Sequence, residues 1–167
     1  MNDVSPLEWA VRPLRRFADF SGRAPRAEYW WFALFYGLAQ MVLGFLDARF
    51  MTPVFEGFGP LRIGTSLVLL LPTYAVSVRR LHDTNTSGWL VLARLATTLA
   101  LVVPLLDLDE AFKQMSGWSI AAFVIVGIGW VCAEITLFVF LIIRGTEGPN
   151  RFGPDPYGPN ELEKVFA

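Results

Sequence analysis

Three short polar strings carry almost all the side chains able to do chemistry: SGRAPRAEYWW (21–31), RRLHDTNTSGW (79–89) and GTEGPNRFGPDP (145–156). Between them they hold Arg23, Arg26, Arg79, Arg80 and Arg151 against Glu28, Asp83, Glu147 and Asp155, with His82 and Asn150 alongside. Two chemistries suit such a set. Guanidinium groups bind phosphate through paired hydrogen bonds, and neighbouring glycines let backbone N–H groups approach an anion. Alternatively the acids and arginines clamp the strings to one another, with Tyr29, Trp30 and Trp89 as interfacial anchors. The near balance of charge favours the clamp, since a dedicated anion site keeps a positive surplus.

His82 beside Asp83 is the only acid–base pair to consider for catalysis. Imidazole titrates in the useful range and a carboxylate can orient it. Neighbours in a helix diverge by about 100°, however, so direct pairing needs a turn. Ser87 lacks the Gly-x-Ser-x-Gly setting of an activated nucleophile. One His and the single Cys132 make no zinc site. The sequence therefore assigns no catalytic residue, metal or cofactor, and leans away from an enzyme.

Whatever these strings do depends on the elements between them. Of the 167 residues, 54% are hydrophobic and only 17% charged, against roughly 25% in ordinary globular chains. Mean hydropathy is +0.45. A soluble domain of this size cannot hide so much apolar surface. Four segments approach the length of about 20 apolar residues that crosses a bilayer: 28–46, 61–79, 88–106 and 118–143. Pro72 is expected to kink the second. A soluble helical bundle would need a polar stripe on every segment, and the fourth has almost none. A net charge of −1 argues against nucleic acid. The first 27 residues contain no apolar run of the signal-peptide kind, so the first span is expected to stay as an anchor.

Lys and Arg set the orientation. Arg12, Arg15, Arg16, Arg23, Arg26, Arg79, Arg80, Arg144, Arg151 and Lys164 fall on one side, against Arg49, Arg62 and Lys113 on the other. This bias places both termini and all three polar strings in the cytoplasm, where separate loops can build one composite site. In the arm 1–27, Trp9, Val11, Leu14, Phe17 and Phe20 alternate with arginines, which suits a segment lying on the leaflet. Pro13 is expected to break a helix there or to start a second one. The tail 144–167, with its repeated Gly-Pro steps, reads as a run of turns.

The strings, in this order around four apolar spans, resemble the bacterial membrane-protein family known as domain of unknown function 805. The resemblance rests on Gly-Arg-x-x-Arg-x-Glu-Tyr-Trp from Gly22, Arg-Arg-Leu-His-Asp from Arg79 with Ser-Gly-Trp following, and Asn-Arg-Phe-Gly-Pro-Asp-Pro from Asn150. It covers about Phe17 to Pro156. That family usually has Thr-Gly after the Asp, where this chain has Thr84-Asn85; Asn tolerates left-handed backbone, so the turn is expected to survive. The resemblance implies an inner-membrane location and a small helical fold, and no reaction.

Two charges fall inside spans, where they are costly unless paired. Arg94 lies about 9 Å past Gly88, and Glu134 about 15 Å before Arg144, at 1.5 Å per residue. An Arg side chain reaches across that difference, which makes Arg94 and Glu134 a candidate intramembrane pair. Small residues four apart, Ala33/Gly37, Ala96/Ala100 and Gly129/Ala133, suit close helix packing or a homo-oligomer.

The resulting expectation is an all-α membrane protein, a single integral domain over 1–167. It has four transmembrane helices, N-in/C-in, with a cytoplasmic cap of Gly/Pro/Arg-rich loops in a multi-pass bacterial inner-membrane setting. The candidate cytoplasmic polar cluster is Arg23, Arg26, Glu28, Arg79, Arg80, His82, Asp83, Asn150, Arg151 and Asp155. Its expected partner is an anionic lipid headgroup or another protein. The competing function is an intramembrane enzyme or carrier for a phosphorylated or lipidic substrate.

Overall fold

A computed structural model describes residues 4–54, 58–102 and 116–158. Among them are five helices and no strand: α1 (Pro6–Arg15), α2 (Arg26–Phe50), α3 (Pro60–Asp83), α4 (Trp89–Val102) and α5 (Gly117–Ile142). The chain divides into two compact units, Met1–Thr86 with Arg144–Ala167, and Ser87–Ile143.

In the first unit, α1 begins where Ser5 accepts a hydrogen bond from the Glu8 N–H at 3.2 Å and Pro6 supplies a preset first-turn dihedral. It corrects the expectation at Pro13, through which the helix runs unbroken. The proline falls in the final turn, and its burial offsets the lost backbone bond. α1 packs on both α2 and α3. Phe32 of α2, Val76 of α3 and Ala24 from the preceding loop form the buried core, with Leu14 and Tyr29 against it.

α2 and α3 have 25 and 24 residues. At 1.5 Å per residue each is about 36 Å long, enough to cross the roughly 30 Å hydrocarbon layer. Leu34, Leu38, Met41 and Phe45 on α2, and Leu67, Val68 and Leu70 on α3, stand exposed. In water such surfaces would aggregate; in lipid tails they are at home. Between the two helices, Tyr36 Oη and Gln40 Nε2 both reach Ser66 Oγ, at 3.3 and 3.1 Å. α3 continues through the buried Pro72, and Thr73 Oγ1 donates to the Leu69 carbonyl at 2.6 Å beside it.

Asp47, absent from the expected site, joins the far ends of this pair. Its carboxylate accepts the N–H groups of Leu61 and Arg62 at 3.0 and 2.9 Å, so a side chain of α2 caps the N-terminus of α3. Gly59 makes room for it, since a Cβ there would overlap the Asp47 side chain.

In the second unit α4 packs against α5. α5 spans 26 residues and is the most apolar helix. Trp130 Nε1 donates to Thr98 Oγ1 at 3.0 Å. The expected third span, 88–106, coincides with α4 as far as Val102; positions 103–106 lie outside the described residues, as does the tail beyond 158. Among the described residues three helices, α2, α3 and α5, are long and apolar enough to cross a membrane. Gly37 and Gly129, expected at close helix contacts, have nothing within 4 Å of an added Cβ.

Gly59→Ala should drive Asp47 off the α3 N-terminus and cost about 2 kcal/mol, the upper range for a lost cap. Thermal unfolding in mild detergent checks this; an unchanged midpoint would show that Asp47 contributes no capping.

Candidate functional site

The last turn of α3 organises the three polar strings. The residues after Arg79 were expected as a loop; Arg80 to Asp83 instead complete the helix, and Arg79, Arg80, His82 and Asp83 each find a partner around it. Arg79 is fully buried. Its Nη2 donates to Glu28 Oε1 at 2.8 Å, and its Nη1 to the carbonyls of Arg16, at 3.1 Å, and Asp19. Nε of Arg79 has no partner among the described residues. Its own carbonyl accepts the Ala24 N–H at 2.9 Å. One residue thus ties α3 to the α1–α2 connection and to the first turn of α2.

Arg23 makes the second set of ties. Nε donates to Asp83 Oδ1 at 2.9 Å, Nη1 to the Gly148 carbonyl at 2.6 Å and Nη2 to the Thr146 carbonyl at 2.5 Å. All three strings therefore meet on one guanidinium. Asp83 is shared, since its Oδ2 also accepts from Arg80 Nη1. Its backbone carbonyl receives the Thr146 N–H at 2.8 Å and Thr146 Oγ1 at 3.1 Å. Gly145 must lack a side chain here, because a Cβ would collide with the Asp83 carboxylate.

His82 and Asp83 do not pair. His82 Nδ1 lies 3.1 Å from the Gly22 carbonyl, which can only accept, so this nitrogen carries a proton. The ring stacks on Phe152 with centroids 3.8 Å apart. Asn150 Nδ2 bonds the His82 carbonyl and Thr146 Oγ1, each at 2.9 Å.

After Asp83 the helix closes with Asn85 in the left-handed region at φ 57°. Asn85 N–H returns to the His82 carbonyl at 3.0 Å and Thr86 N–H to the Leu81 carbonyl at 2.9 Å, a Schellman ending. The turn expected at Thr84-Asn85 is formed. Among the described residues Arg151 pairs with no acid: it lies over the Phe152 ring, 4.6 Å away, and Nη2 donates to the Asn85 carbonyl at 3.0 Å.

A cavity of about 320 Å³ opens beside this lock, with Arg23 and Asp83 among its lining residues together with Arg26, Arg144, Glu147 and Asp155. The two kinds of ion pair around it differ in consequence. Arg23, Arg79, Arg80, Glu28 and Asp83 are nearly or wholly buried, and removing one partner of such a pair costs about 3–5 kcal/mol. Arg144 and Glu147 are 3.3 Å apart with side chains 77% and 78% exposed, a pairing worth about 0–1 kcal/mol. Asp155 accepts the Tyr157 N–H and the Gly148 N–H, both at 2.9 Å. The Tyr157 bond chiefly holds its carboxyl below the usual carboxylate range, with the Gly148 bond assisting. Asp19 is lowered likewise by the Ser21 hydroxyl, Arg16 and the Ser21 N–H.

In the second unit, Arg94 Nε donates to Glu134 Oε1 at 2.5 Å, with both side chains about one-third exposed. Among the described residues no group of three His, Cys, Asp or Glu is placed to hold a metal ion.

The sequence reading missed Asp19, Thr146 and the carbonyls of Arg16, Gly22 and Gly148. Asp19 had a usable signal in the Asp-x-Ser turn pattern. The carbonyl acceptors had none, since every residue carries one.

The family described as "Protein of unknown function (DUF805)" matches residues 17–154. The chain is 33% identical to the inner membrane protein YhaH of Escherichia coli K12, over 90% of this chain and 97% of that protein. It is 30% identical to the inner membrane protein YhaI of the same strain, over 92% and 100% respectively. No solved structure matches.

Asp83→Asn should destabilise the first unit by about 3–5 kcal/mol, because it leaves Arg23 and Arg80 buried without their shared charge; Glu147→Gln should cost under about 1 kcal/mol. Thermal unfolding compares the two, and equal costs would contradict the lock. Asp19 and Asp155 titrate below their ordinary 3.8 when folded. Their contribution is therefore present above that value and lost as pH falls through the depressed ones. The unfolding midpoint should fall below about pH 4, and less steeply in Asp155→Asn. An identical acid profile in the variant would contradict the assignment.

Proposed function

The chain belongs to the DUF805 family of membrane proteins, and from that premise we propose a non-catalytic, multi-pass inner-membrane protein whose cytoplasmic cap engages a lipid headgroup or a partner protein. It crosses the bilayer four times as one integral domain, with both termini inside. The observation that carries this reading is the meeting of all three polar strings in one layer, at the end where α2 begins and α3 stops. The Lys and Arg bias supports the cytoplasmic side, and the relatives' inner-membrane names support the location.

A non-catalytic role is supported by how the layer spends its reactive groups. The His82 ring is covered by Phe152 and held at Gly22. Asp83 is held between two arginines. Neither is poised to move a proton. The alternative, an enzyme or carrier for a phosphorylated or lipidic substrate, draws support from the cavity that reaches Asp83. In that reading Arg79, Arg80, His82 and Asp83 do the work, and Arg79 and Arg80 are already committed inside the protein.

Cysteine mapping tests the topology. On a Cys132→Ser background, Glu8→Cys and Tyr157→Cys should react with a membrane-impermeant maleimide only in inverted vesicles, and Thr52→Cys only in intact spheroplasts. The reverse pattern would sink the cytoplasmic cap. Native mass spectrometry from mild detergent should show a retained lipid or protein; a bare chain would count against engagement.

A further inference from the structure

We infer that the cavity beside the buried lock is a site for a zwitterionic phosphoethanolamine group, which carries a phosphate and a primary ammonium. The inference deepens the lipid side of the proposed function and names its site. Its volume of about 320 Å³ stands at the lower end of ligand pockets, where a headgroup rather than a whole lipid fits. Its lining is balanced: Arg23, Arg26 and Arg144 against Asp83, Glu147 and Asp155. A simple anion site would carry a positive surplus.

The pairs divide into fixed and exchangeable. Arg23 and Asp83 are almost fully buried and fixed, bonded to each other, with Arg23 also bonded to the Thr146 and Gly148 carbonyls. Arg144 and Glu147 form the weakest pair, highly exposed and 3.3 Å apart. A ligand with both charges can insert between them without leaving either unmatched. Its phosphate takes Arg144, with Arg26 also lining the cavity, and its ammonium takes Glu147 and Asp155. Asp155 is already charged and aimed by the N–H groups of Tyr157 and Gly148.

The depth fits as well. Arg26 opens α2, Asp83 closes α3, and Arg144 directly follows the apolar run that ends at Ile143. These are the positions at which apolar segments give way to polar ones, the level of lipid headgroups.

The test uses the full chain in nanodiscs of phosphatidylcholine doped with phosphatidylethanolamine or phosphatidylglycerol, read by native mass spectrometry. Isothermal titration with soluble glycerophosphoethanolamine runs beside it. Phosphatidylethanolamine should be retained at least tenfold over phosphatidylglycerol. Arg144→Gln and Glu147→Gln should each lower that retention about tenfold, the loss of one charge-assisted contact. Glu147→Gln is decisive in sign: at an anion site it frees Arg144 and strengthens phosphatidylglycerol, whereas at a zwitterion site it weakens phosphatidylethanolamine. Glycerophosphoethanolamine binding with the same variant profile extends the assignment to a soluble source, and binding of the lipid alone restricts it to the headgroup. Equal retention of the two lipids, or a gain on Glu147→Gln, overturns the proposal. So does wild-type retention in both variants. If the cysteine map still places the cap inside, the broader reading survives that failure; an inverted map removes the broader reading whatever lipid is bound.

Discussion

Arg79 and Arg80 sit side by side in the last turn of α3 with no exposure to solvent, and a charge out of water is tolerated only when opposite charge and hydrogen-bond acceptors surround it. That requirement dictates much of the first unit. Glu28 must lie at the start of α2, and the α1–α2 connection must offer the carbonyls of Arg16 and Asp19. Asp83 must serve Arg80 and Arg23 together. Arg23 in turn needs the carbonyls of Thr146 and Gly148, which draws the tail back across more than a hundred residues of chain. Removing Glu28 or Asp83 takes an opposite charge away from buried guanidinium groups, so the layer is expected to form as a unit.

The same constraint explains residues that look incidental in the sequence. Gly145 is small because the Asp83 carboxylate occupies the space its side chain would take. Asn85 adopts left-handed backbone so that the chain can leave the helix while both final carbonyls are satisfied. His82 looks like a catalytic base in isolation; here its Nδ1 donates to the Gly22 carbonyl and its ring stacks on Phe152. At the opposite ends of α2 and α3, Asp47 satisfies the α3 N-terminus in the space left by Gly59.

Away from these polar ends the helices follow a different rule. Their backbones satisfy themselves, and their side chains need only an apolar solvent. α5 shows this most fully, with Ile120, Val124, Ile125 and Ile128 all exposed. The exception within the second unit is the Arg94–Glu134 bond, where neutralisation replaces water.

The membrane class, four of the five helices in outline and the family were legible from the sequence, because hydrophobic runs and rare polar strings are local properties of a chain. The helix lengths show where that reading ended. The second span was expected to stop at residue 79, yet α3 continues to Asp83. A window of hydropathy sees charge and infers water, while the fold supplies Glu28 and Arg23 from distant positions and keeps the charge buried. Arg23, Arg79 and Asp83 could be named as candidates for one cluster from the polar strings and the Lys and Arg bias. That Arg23 holds all three strings, that Arg151 stands apart on Phe152, and that Asp47 caps α3 were decided only in three dimensions. Those pairings depend on angle and reach between segments far apart in sequence, and a one-dimensional pattern carries neither.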